Sequence, residues 1–315
     1  MKSVFYTALA TSVLLTTAAQ AQSDLLTVYG RANISLQFSE SDETATDLKS
    51  NSSRFGVKGE AKLENDLIAI YQAEFGVDFT DESKEQNITA RNQYVGLKGH
   101  FGQVRLGRMD TAHKFSQGKV DLFNNYNADI KRLFSGEIRA NDSITYISPS
   151  YNQFSLGVTY LTQEENDAAE RDSAGLSTAL MYGDKNLKKS SLYSALALDN
   201  DVKGEDRVRF VVQKSLGQFT LGAMAQRQKN NNSGESATGY LLNAAYQSGE
   251  FKYKVQHQLI NGDRERSTSS IGVDYKLGSA TKAFAWLSYD DHYENNDIVI
   301  QDRRTTVAFG LEHKF

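Results

Sequence analysis

The chain contains no cysteine, a single proline (Pro149), a single tryptophan and, beyond its first residues, no long apolar run. Each scarcity excludes something. Without cysteine there are no disulfides, so the fold rests on backbone pairing and packing. Proline breaks strand ladders, and its near absence suits long, uninterrupted strands. The lack of apolar runs excludes a bundle of transmembrane helices. It leaves open the other structure a bilayer permits, a closed barrel. In a barrel only alternate residues meet lipid, so mean hydropathy stays low. Here it is -0.51. Composition alone equally allows a periplasmic β-sandwich.

What is present begins with an export signal. Residues 1–21 carry Lys2, then an apolar stretch through Val13, Leu14 and Leu15, and end on Ala19-Gln20-Ala21, a small-x-small cleavage pattern. The mature chain is expected to start at Gln22 and to form one domain, residues 22–315. Loss of Lys2 leaves 34 basic against 39 acidic side chains. That mild acidic excess argues against nucleic acid as a partner.

A period of two runs through the chain. Over residues 28–38, Val28, Ala32, Ile34, Leu36 and Phe38 share one face, while Tyr29, Arg31, Asn33, Ser35 and Gln37 share the other. Phe55, Val57, Ala61 and Leu63 oppose Arg54, Lys58, Glu60 and Lys62. Tyr71, Phe75 and Phe79 oppose Gln72, Glu74 and Asp78. Such alternation marks strands with one apolar face. Residues 187–198 and 282–290 alternate poorly.

Seven short connections carry turn residues, as at Asn65-Asp66, Gly217-Gln218 and Gly249-Glu250. Eight longer polar connections lie between them: residues 40–50, 81–87, 110–141, 163–171, 200–203, 230–235, 262–265 and 291–301. The pattern predicts sixteen strands with short turns on one side and long loops on the other, an all-β transmembrane antiparallel barrel. The last strand places Val307, Phe309, Leu311 and Phe315 on one face and Thr306, Glu312 and Lys314 on the other. Its open edge needs a partner, and the first strand is the simplest one. Aromatics near strand ends, such as Tyr29, Phe38, Tyr160 and Tyr289, suit belts at the membrane interfaces.

The connection at 110–141 is too long for a plain turn, and loops of this length are usually functional. It mixes Asp121, Asp129 and Glu137 with Leu122, Phe123, Tyr126, Ile130, Leu133 and Phe134. Those apolar residues predict that it packs against the inner wall. Arg31, Arg54 and Arg91 have inward parity, and arginine stays charged in any surroundings. Arginines facing loop carboxylates across a narrow wet gap set up a transverse field that penalises apolar solutes.

Chemistry is otherwise thinly marked. The five histidines show no metal-ligand spacing, and Asp290, Asp291, Glu294 and Asp297 lack EF-hand spacing. His257 has serines nearby but no motif of a nucleophile with its base. No cofactor and no metal are expected.

Two stretches, 53–60 (Ser-Arg-Phe-Gly-Val-Lys-Gly-Glu) and 94–108 (Tyr-Val-Gly-Leu-Lys-Gly-His-Phe-Gly-Gln-Val-Arg-Leu-Gly-Arg), closely resemble segments of the Gram-negative general porins. Val28-Tyr29-Gly30-Arg31 and the terminal Phe315 match as well. The resemblance implies a homotrimeric outer-membrane barrel of sixteen strands, with its third outer loop folded inward as a constriction. It implies a water-filled channel for passive diffusion of small hydrophilic solutes and ions, surrounded by outer-membrane lipid. By that analogy Arg31, Arg54 and Arg91 form the basic wall of the pore, and Asp121 and Asp129 are candidates for the opposing acids. The Pro-Glu-Phe-Gly-Gly segment of enterobacterial constriction loops is missing, and His313 stands where an aromatic is more usual. A substrate-specific channel, a barrel enzyme and a surface adhesin are the alternative readings.

Overall fold

The computed structural model describes residues 25–41, 44–80, 87–162, 174–262, 265–291, 294–295, 298–299 and 303–315. The expected signal segment and the expected loop at 163–171 lie outside these residues, as do His292 and Asp297.

The barrel begins with β1 (Thr27–Glu40), β2 (Thr44–Ser50), β3 (Arg54–Lys62), β4 (Ile68–Val77), β5 (Ile88–Gly99) and β6 (Gly102–Asp110). After the long loop come β7 (Arg139–Ile147), β8 (Phe154–Leu161), β9 (Gly175–Gly183), β10 (Leu192–Asn200), β11 (Glu205–Leu216) and β12 (Phe219–Asn230). The wall continues with β13 (Ser236–Ser248), β14 (Phe251–Asn261), β15 (Glu265–Lys276) and β16 (Thr281–Asp291), and ends in β19 (Arg304–Lys314). A small separate hairpin joins β17 (Glu294–Asn295) to β18 (Ile298–Val299).

From β3 to β16 each strand pairs antiparallel with the next, and β19 pairs with both β16 and β1. The sheet therefore closes, which removes its edges. β2 and β3 both lie along β1 and act as one interrupted strand, so the barrel has sixteen. At the seam the Gly30 amide donates to the Phe315 carbonyl (2.8 Å), and the Phe315 amide donates back to Gly30 (3.2 Å). A Cβ at Gly30 would stand 2.2 Å from the tip of the Phe315 ring.

The parity reading holds. Val28, Leu36, Phe38, Phe309 and Leu311 are exposed on the outer surface, while Asn33, Ser35, Gln37, Thr306 and Glu312 are buried inside. So broad an apolar exterior calls for lipid rather than water.

Three expectations need correction. Residues 40–50 are mostly strand, since β2 pairs with β1 from Ile34↔Ser50 to Glu40↔Thr44. This extension lacks apolar alternation. The connection at 110–141 is not structureless, and its last residues belong to β7. The connection at 291–301 contains β17 and β18.

Candidate functional site

The long loop enters the barrel through a four-residue helix, α1 (Ala112–Phe115), capped by Thr111, whose hydroxyl accepts from the Lys114 amide. Ala112 and Phe115 pack against Ala179 and Ala197 of the inner wall. Small residues are required there: a Cβ at Gly157 would come within 2.4 Å of the Phe115 ring. Further along, Val120, Ile130, Leu133 and Phe134 meet Val211, Met224, Leu241 and Ile260 on β11 to β14. Phe123, Tyr126 and Ala128 meet Phe284, Trp286 and Ala308 on β16 and β19. The loop thus crosses the lumen on an apolar track, and each large side chain removed from water contributes about 1.5–3 kcal/mol to holding it there.

Polar contacts fix its far end. Arg209, fully buried, donates to the Glu137 carboxylate (2.7 Å), the Ser135 carbonyl (3.2 Å) and Gln226 Oε1 (2.5 Å). Arg207 donates to Ser135 Oγ (2.7 Å) and pairs with Asp199 (3.1 Å) and Glu205 (2.8 Å). His113 lies buried beside them with neither ring nitrogen hydrogen-bonded. Burial and the two guanidinium charges hold its pKa well below the usual histidine range.

Across the remaining gap stand the three expected arginines. Arg54 and Arg91 converge on one carboxylate, Glu74, at 3.8 and 2.7 Å, and Tyr29 donates to its other oxygen (3.1 Å). Arg31 pairs with Glu312 (3.4 Å) and donates to the carbonyls of Asn51 (3.1 Å) and Ser52 (2.9 Å). Those carbonyls belong to the break between β2 and β3, where Ser52 adopts a left-handed φ of 53°. The interruption of the strand therefore supplies acceptors for a wall arginine. A register shift opposite Ala73/Phe75 brings both Arg91 and Asn92 to inward partners.

The two loop acids are placed differently from the arginines. Asp121 accepts from the amides of Phe123 (2.9 Å) and Ile130 (3.1 Å) and from Gln256 (3.0 Å). Asp129 accepts from the amides of Asn125 (2.6 Å) and Lys131 (2.9 Å). Both carboxylates organise the backbone of the loop. They still border the gap: Asp121 lines a cavity of about 300 Å³ with Arg31, and Asp129 lines one of about 430 Å³ with Arg54 and Arg91. Burial and the neighbouring Asp129 push the Asp121 pKa up to about 7.

Charge in the gap is strongly positive. The Arg31 cavity is bordered by six basic side chains and three acidic ones, and the Arg54 cavity by six and three as well. Lys254 and Lys282 share Asp274 at 2.8 and 3.1 Å. Arg139 and Lys114 share Asp110 at 3.0 and 3.3 Å. The sequence reading missed Glu74, Glu312, Arg139 and the lysines as parts of this site. Inward parity was the available signal for Glu74, Glu312 and Lys254, whereas Arg139 and Lys114 fell within the expected loop and Lys282 in a poorly alternating stretch.

His257 hydrogen-bonds Ser269 (2.8 Å) on the exposed outer face. Among the described residues no group of three or more His, Cys, Asp or Glu could hold a metal ion.

A closed transmembrane β-barrel, narrowed from within by a packed loop and lined there by charge, is the architecture of an aqueous channel. The profile of the Gram-negative porins matches residues 7–296, and the chain belongs to that family. The major outer membrane protein P.IB of Neisseria sicca is 25% identical over 311 residues, covering 92% of this chain and 85% of the relative. A monosaccharide porin of Halomonas sp is 29% identical over 192 residues, covering 56% and 51%. The anion-selective porin from Comamonas acidovorans superposes with a TM-score of 0.79 at 20% identity, covering 92% and 99%. The protein is thus a porin of the Gram-negative outer membrane and forms a water-filled channel through it.

Proposed function

We propose that this channel passes small hydrophilic solutes without a chemical step and favours anions, and that Arg31, Arg54 and Arg91 set this preference. The observation that carries the reading is the excess of basic over acidic side chains around both cavities of the gap. Counter-ions concentrate where one sign of charge lines a low-dielectric cleft. Asp121 and Asp129 supply the negative edge of the loop and moderate the preference. The superposition on a porin described as anion-selective supports the reading. The chain is taken to act as a homotrimer after removal of residues 1–21, leaving a single barrel domain.

Planar-bilayer recording tests this. In a tenfold KCl gradient the reversal potential should show anions crossing faster than cations. Neutralising Arg31, Arg54 and Arg91 together to Gln should shift the potential towards cations. An unchanged potential in the triple variant would remove these residues from the selectivity mechanism. Conductance steps arriving in threes would support the trimer.

A further inference from the structure

A second chamber adjoins the Arg54 cavity, with which it shares Asp110, Phe115 and Lys185, and extends towards the turn that joins β9 to β10. Its volume is about 440 Å³, within the range of small-molecule sites. Tyr94, Arg105, Phe115, Ile147, Met181 and Lys185 border it. The mixture is unusual for a channel interior, where water-facing side chains are expected to be polar. Here Phe115 of α1, Ile147 of β7 and Met181 of β9 offer an apolar floor.

Its arginine also differs from those of the gap. Arg31, Arg54, Arg91 and Arg139 each have a carboxylate partner. The Arg105 guanidinium instead lies over the Tyr94 ring, 4.7 Å from its centroid, and donates to Gln103 Oε1 (3.0 Å). Its Nε is buried and has no acceptor. Among the described residues neither Arg105 nor Lys185 forms an ion pair. The two acids at the chamber are already engaged. Asp110 is shared by Lys114 and Arg139, and Asp184 accepts from the amides of Asn186, Lys188 and Lys189.

We infer that this chamber binds small amphiphilic carboxylates, of the arylalkanoate class. The carboxylate takes the Arg105 guanidinium, a planar donor suited to it, with Lys185 as a second cation. The apolar body lies on Phe115, Ile147 and Met181 beside the Tyr94 ring. This rests on the channel reading but not on the anion preference of the arginine wall, since Arg31, Arg54 and Arg91 do not border this chamber.

Phenylacetate and acetate are the probes, added to the short-turn side of the refolded protein in a bilayer. Phenylacetate should reduce the chloride current saturably, with half-block at a concentration at least tenfold below that of acetate. Arg105→Gln should raise the half-blocking concentration of phenylacetate at least fivefold. Ile147→Asn should remove most of the preference for phenylacetate over acetate. Saturation-transfer NMR on the detergent-solubilised protein gives a readout independent of conduction. Its aromatic signal from phenylacetate should fall in both variants, each first shown to be a heat-modifiable barrel. Equal block by the two acids, or unaltered phenylacetate block and NMR signal in Arg105→Gln, would overturn the inference. Absence of any KCl conductance would overturn the channel reading itself, so the two failures are distinguishable.

Discussion

Tyr126, at the inner edge of the loop, stacks on Trp286 of β16 with ring centroids 5.8 Å apart and planes inclined by 30°. Phe284 flanks the same tyrosine at 4.9 Å. Trp286 is the only tryptophan of the chain and is 3% exposed. Its emission therefore reports whether the loop is docked. Tyr126→Ala should shift that emission to the red and increase quenching by acrylamide. The lost packing is worth about 3 kcal/mol by analogy with other aromatic truncations. Single-channel conductance should rise in parallel as the loop loosens. A variant with native emission and larger conductance would uncouple the two.

The Arg209–Glu137 pair makes a second anchor testable. Glu137→Ala leaves a fully buried guanidinium without its carboxylate, a change that costs about 3–5 kcal/mol. Current noise and mean conductance should increase, because residues 135–137 lose their hold on β11. The double replacement Arg209→Met with Glu137→Leu should be less damaging than Glu137→Ala alone. Thermal unfolding of the three variants in detergent checks the order.

Glu74 restrains the wall arginines. Glu74→Gln keeps a hydrogen-bond acceptor but removes the only acid partner of Arg54 and Arg91 among the described residues. The anion preference should grow, and the reversal potential should move opposite to that of the triple arginine variant. A shift in the same direction would mean that Glu74 acts by positioning the arginines rather than by offsetting their charge.

Asp121 predicts a dependence on pH. Its folded value, about 7, lies above the unfolded value of about 3.9. The folded state therefore holds the proton more tightly, and this group lowers stability as the pH rises from about 4 to 7. Acidification returns that stability and removes a negative charge from the loop edge. Anion preference should increase between pH 8 and 5.5 in the native protein. Asp121→Asn should show little of that change. An equal pH response in the variant would place the titration elsewhere.

Much of the barrel was legible because lipid and water impose opposite demands on alternate residues. Arg31 and Arg54 could be assigned to the lumen from parity alone, whereas Arg91 shares the parity of the outward Val95 and Leu97 and reaches the lumen only through the register shift opposite Ala73/Phe75. The two poorly alternating stretches are the instructive ones. In β10, Tyr193, Ala195 and Ala197 are buried inside while Leu196 and Leu198 are exposed outside. In β16, Phe284 and Trp286 are inside while Leu287 is outside. Both faces are apolar because the inner one receives the loop, so the failure of periodicity marks docking sites for Phe115, Phe123 and Tyr126. β2 escaped notice for the opposite reason, since its side chains are polar or exposed on both faces. The roles of Asp121 and Asp129 within the loop were not legible. A carboxylate bonding to amides two and nine residues away leaves no spacing rule in a single sequence.

The seam between β1 and β19 has a consequence for biogenesis. Its ten register positions, Arg31↔Lys314 to Glu40↔Thr305, join segments separated by nearly the whole barrel. Contacts so distant in sequence form late and slowly. A chain delivered amino end first exposes the free edge of β1 before its mate arrives. That edge is a template for aberrant pairing throughout the interval. The edge of β1 is thus the part of this barrel most open to mispairing until β19 is in place.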